Sequence, residues 1–131
     1  MKDPANKWIK VALFNFFLAA LLGGTLRFAF VNEIKWLSYK TFQEAHEHLA
    51  LLGWTYQALF AFFLATFIPS EKRLQKKYNI LFWCNQILVI LITLNFIIAG
   101  FNITANVLRT LFSFAGFYFI YSLIKDTPGS E

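Results

Sequence analysis

Charged side chains are scarce in this sequence. Asp, Glu, Lys and Arg make up 15% of its 131 residues, against roughly 25% in ordinary soluble domains. Cysteine is nearly absent. The single Cys84 lies inside an apolar run, which excludes an intrachain disulfide or a CxxC redox motif and reads as a small buried hydrophobe. Histidine occurs twice, at His46 and His48, so any chemistry that needs several imidazoles from one chain is excluded. The length allows one domain, residues 1–131, with no separate soluble module.

What is present is apolar. Hydrophobic residues make up 58% of the chain, aromatic residues 20%, and the mean hydropathy is +0.53. A soluble core of this size cannot hide that much apolar surface, whereas lipid can. A helix crosses the bilayer core with about 20 apolar residues. Four segments meet that length: 8–31, 45–68, 78–100 and 103–124. The uncharged run from Tyr78 to Leu108 is too long for one crossing, and Gly100-Phe101-Asn102 is its natural break. Pro69 stops the second helix. Lys2, Lys7 and Lys10 resemble the basic start of a signal peptide, but the apolar run is long and no A-x-A site follows it. A retained helix is expected.

The loops give the orientation. One side carries Lys2, Lys7, Lys10, Lys72, Arg73, Lys76, Lys77 and Lys125, and the other Arg27, Lys35, Lys40 and Arg109. This bias predicts that both termini and the basic loop after Pro69 are cytoplasmic, in an inner (plasma) membrane. Short connections predict an all-α, up-down-up-down four-helix membrane bundle. Trp8, Trp36 and Trp83 fall near the expected interfaces, as belt residues do, and the tail from Asp126 is expected to be disordered. The net charge of +5 lies beside the apolar runs. It therefore suits an anionic lipid surface, and nucleic acid is not an expected partner. Asn15, Asn85, Gln86 and Asn95 inside the spans read as interhelical hydrogen-bonding groups.

The residues that could carry chemistry cluster in Glu44-Ala45-His46-Glu47-His48. His46 and His48 are two apart, roughly 200° around a regular helix, and cannot hold one metal together. Glu44 and His48 are four apart and share a face, as paired metal ligands do. His46 shares its face with Ala50, Gly53 and Gln57, small enough in part for a flat macrocycle to approach; one imidazole can serve a haem iron. Arg27 and Arg109 are candidate partners for haem propionates or for Glu44 and Glu47. Alternatively, the two histidines form a hydrated interfacial cluster or a proton relay, and the arginines snorkel to headgroups.

The stretch Glu44-Ala45-His46-Glu47-His48-Leu49-Ala50-Leu51-Leu52-Gly53-Trp54 resembles the second-helix motif, H-A-H-x-H-x-x-x-L-G-W, of bacterial membrane proteins related to the haem–copper oxidase catalytic subunit. It is also similar to the H-A-H-E-M segment of the NnrS family of haem- and copper-containing membrane proteins. His46, His48, Gly53 and Trp54 match, and Glu44 stands where the first histidine would be. The resemblance implies haem as cofactor, with copper or another divalent metal on His46, His48 and Glu44 as the alternative. The later oxidase helices have no counterpart, so oxygen reduction by this chain alone is not expected. The leading expectation is a small haem-binding membrane protein for electron transfer, gas sensing or an oxidase-associated role. It has His46 first and His48 second as axial ligand, Arg27 and Arg109 as propionate partners, and a homodimer completing the site. The other expectations are a non-enzymatic scaffold or subunit of a larger membrane complex, and a small dimeric carrier, the last suggested by the echo of Asn15-Phe-Phe-Leu-Ala-Ala in Asn95-Phe-Ile-Ile-Ala-Gly.

Overall fold

In the computed structural model, which describes residues 3–129, the chain is helical with no strand among those residues. Four helices are long and apolar enough to cross a membrane: α1 (Ala5–Ala29), α2 (Tyr39–Phe67), α3 (Lys76–Ala99) and α4 (Ile103–Asp126). A single extra turn, Ser70–Arg73, lies between α2 and α3. The helices end where local chemistry ends them. Ile68 is extended, with φ −106° and ψ 125°, because a residue before proline is pushed out of the helical region. Gly100 takes φ +65°, a conformation that side chains disfavour, and the Asn102 side chain accepts the Ala105 N–H at 2.8 Å to start α4.

α3 is the central helix, with 44% of its most apolar window buried, against 17% for α4. Two apolar clusters fill the interior. In one, the rings of Trp8, Phe60, Phe82 and Phe119 pack stacked, tilted or edge-to-face with centroids 4.3–5.6 Å apart. The other gathers Ala19, Ala45, Leu49, Val89, Phe96 and Phe112. Between these two clusters in the sequence order of α1, α2 and α3 come the buried amides Asn15, Gln57, Asn85 and Gln86. Asn15 and Gln86 exchange hydrogen bonds: Asn15 Nδ2 donates to Gln86 Oε1 at 2.8 Å and Gln86 Nε2 to Asn15 Oδ1 at 3.1 Å. Asn85 Nδ2 donates to the Tyr56 hydroxyl at 3.4 Å. These amides therefore act between helices, as expected of polar groups in apolar spans. Asn95 instead donates to Asn102 beside the Gly100 break.

Several local expectations are corrected. α2 begins at Tyr39 rather than near residue 45, because Ser38 starts a polar first stretch that helix-compatible residues carry outward from the apolar run. Eight residues of α2, Leu49–Tyr56, are a π-helix. Trp8 is fully buried in the aromatic cluster, and Trp36 is exposed. Cys84 lies on the outer surface of the bundle and not in its core. Asp126 is helical and buried: its carboxylate accepts from Lys77 Nζ and from the Tyr78 hydroxyl, the latter at 2.6 Å, and Lys72 Nζ reaches its carbonyl at 3.4 Å. Of the tail, Ser130 and Glu131 lie outside the described residues. Because Asp126→Ala removes the carboxylate that Lys77 and Tyr78 both bond, leaving Tyr78 only the Ser122 carbonyl at 3.2 Å, it is expected to lower stability by about 1.5–3 kcal/mol, the range for hydrogen bonds to charged groups. Thermal unfolding in mild detergent checks this.

Candidate cofactor-binding site

Both histidines lie in the α-helical first part of α2, just before the π segment, and they face different neighbours. His46 turns to α1, where its Nδ1 meets the Ala19 carbonyl at 2.8 Å. His48 turns to α3, stacking on Phe96 at 4.5 Å, with its Nδ1 on the Glu44 carbonyl at 2.7 Å. A carbonyl only accepts, so Nδ1 carries the proton in each ring, and in the neutral imidazole Nε2 keeps its lone pair. A backbone acceptor that fixes the tautomer in this way is the usual support of a metal-ligating histidine.

Beside His46 opens a cleft of about 620 Å³, within the size range of small-molecule sites, roughly 300–1,000 Å³. It is lined by Gly23, Gly24, Leu26, Arg27 and Phe30 of α1 and the following loop, and by Tyr39, Gln43, His46 and Glu47 of α2. α1 supplies the room: a Cβ on Gly23 would lie 3.0 Å from His46 Cε1, 3.5 Å from Nδ1 and 3.6 Å from Nε2. Arg27 is exposed at the cleft wall and makes no ion pair among the described residues, while Glu47 accepts from Gln43 Nε2 at 2.9 Å.

The structure thus brings together His46 and Arg27 and separates the other candidates from them. His48 is on the α3 side. Arg109 does not line the cleft; its guanidinium lies 5.9 Å from the Phe101 ring centroid. Glu44 meets His48 through its backbone carbonyl, and among the described residues no three His, Cys, Asp or Glu side chains form a group able to hold a metal ion. Gly53 does not offer an open face. A Cβ there would lie 2.9 Å from Leu49 Cδ1, 3.0 Å from Val89 Cγ1 and 3.3 Å from Asn15 Cβ, so its lack of a side chain serves helix packing.

Comparison of the chain with family models, curated proteins and solved structures finds no match. The site therefore has to be argued from its own residues. Of the parts contributed by α1, sequence reasoning named Arg27 but not the Ala19 carbonyl or Gly23. Their signal was present as Asn15, Ala19 and Gly23, spaced by four and so on one face of a helix.

Proposed function

We propose that the protein is a small haem-binding protein of a bacterial inner membrane, with His46 as the axial ligand. One observation carries the reading: the His46 ring is anchored by Nδ1 on the Ala19 carbonyl, which frees Nε2 at the edge of a cleft that also holds a cation, Arg27. A planar, apolar ring with carboxylate arms matches that wall, with Phe30 and Leu26 for its apolar body and Arg27 for a propionate. When bound, the haem iron supplies one-electron or diatomic-gas chemistry; the chain supplies the ligand, its orientation and the cationic partner. The partial likeness of the His46 segment to oxidase-related and NnrS proteins agrees with this. Since His48 turns to Phe96, one chain brings one imidazole to the cleft, and a homodimer or a small molecule would supply a sixth ligand.

The proposed orientation is up-down-up-down with both termini cytoplasmic. Contacts that gather the basic residues support it: Arg73 pairs with Asp3 at 2.8 Å, and Lys77 and Lys72 with Asp126. Positive charge collected beside both chain ends is the cytoplasmic pattern.

Haemin titration of the detergent-purified apoprotein tests the reading. Saturable uptake with a Soret shift is expected for the unaltered protein and for His48→Ala, and its loss is expected for His46→Ala. Uptake lost only in His48→Ala would overturn the ligand assignment. No uptake by the unaltered protein would favour a scaffold, in which the buried amides lock helices and the histidines are dispensable.

A further inference from the structure

The π segment Leu49–Tyr56 separates His46 from Gln57. A π-helix bonds i to i+5 and so takes up more residues per turn than an α-helix. Downstream of it Gln57, Phe60 and Leu64 are fully buried and hold their places in the bundle. With that half fixed, the π segment sets which upstream residue meets α1. If its extra residue were absorbed into regular α-helix, the chain above would be displaced by one position and Glu47 would come to the place of His46. A carboxylate cannot donate to the Ala19 carbonyl, and the imidazole would leave the cleft edge.

A π segment needs local support, because the regular α pattern competes with it. Here the support comes from α1. Asn15 Nδ2 donates to the Gly53 carbonyl, in the middle of the π segment, at 2.8 Å. Asn15 is itself held. It is buried, paired with Gln86 through the two reciprocal bonds, and close enough to Gly53 that no Cβ fits between them without displacement. It stands four residues before Ala19, so one face of α1 grips α2 at two levels: at the Gly53 carbonyl and at the His46 ring.

We propose that Asn15 is a positioning residue for His46, acting by holding the π register that turns the imidazole to Ala19 and the cleft. The inference rests on His46 as the ligand of the proposed site, but its test reads the imidazole directly. Protein labelled with ¹⁵N in the histidine rings is expected to show the Nδ1–H form at His46, its signals being assigned by their loss in His46→Ala. In Asn15→Leu the His46 signals should move to a solvent-averaged tautomer mixture, while His48, whose Nδ1 partner is the Glu44 carbonyl of its own helix, keeps its Nδ1–H form. Deletion of Leu51, which faces outward, removes one residue from the π segment. Alone it should leave the His46 form intact, and combined with Asn15→Leu it should restore that form. Unchanged His46 signals in Asn15→Leu would overturn the proposal, and so would loss of the Nδ1–H form on deleting Leu51 alone; the second arm also serves if Asn15→Leu does not fold. Failure of the unaltered protein to take up haemin would count against the proposed function while leaving this readout valid.

Discussion

Gly53→Leu is expected to cost about 3 kcal/mol or more, or to prevent folding altogether. Three contacts close on the new side chain at once. Leu49 Cδ1, at 2.9 Å from the added Cβ, is the end of a flexible side chain and can turn aside. Val89 Cγ1, at 3.0 Å, belongs to a β-branched residue with little χ1 freedom, and Asn15 Cβ, at 3.3 Å, is fixed by the amide pair with Gln86. Overpacking alone typically costs about 1–3 kcal/mol. Pushing α1 away also breaks the buried Asn15–Gly53 bond, a further loss of about 0.5–1.5 kcal/mol. Gly24→Ala is the matched control, because nothing lies within 4 Å of a Cβ there; its unfolding midpoint should not fall. Denaturation of both variants in the same detergent compares them directly.

Gly23→Leu should separate binding from stability in the opposite sense. The three atoms nearest its Cβ all belong to the half-buried His46 ring, the closest 3.0 Å away, and Gly23 lines the cleft. The bundle can accommodate the change by letting the ring swing. That movement breaks the Ala19 bond, and the leucine covers Nε2 and fills the wall. Haemin affinity is therefore expected to fall about tenfold or more, with about 1.4 kcal/mol lost per decade, while thermal unfolding stays near that of the unaltered apoprotein. Parallel titration and unfolding of Gly23→Leu and Gly53→Leu would show whether the two glycines divide these roles.

The number of helices and most of their ends were legible in the sequence because hydropathy, Pro69 and Gly100 act locally. The opposed directions of His46 and His48 were legible too, since two residues span about 200° on any helix. What could not be read was which neighbour each would meet. That depends on the π segment, which moves everything upstream of it by a residue relative to a regular helix, and nothing in Leu-Ala-Leu-Leu-Gly-Trp-Thr-Tyr announces it. The partner that supports it, Asn15, is 38 residues away. Gly53 was read as room for a flat macrocycle, and the sequence did not show that Asn15 and Val89 fill that room. Arg27 and Arg109 were both candidate propionate partners on the same side; packing puts one at the cleft and the other beside Phe101. The burial of Trp8 and Asp126 had the same cause, long-range packing onto Phe60, Phe82, Lys77 and Tyr78.

The most direct test of a His46-ligated haem is the optical spectrum, oxidised and dithionite-reduced, of protein purified in mild detergent from haem-supplied cells, measured beside His46→Ala. The account predicts a Soret band with reduced α and β bands in the unaltered protein and their absence in the variant. A spectrum without haem bands in the unaltered protein, or equal bands in both, would contradict it.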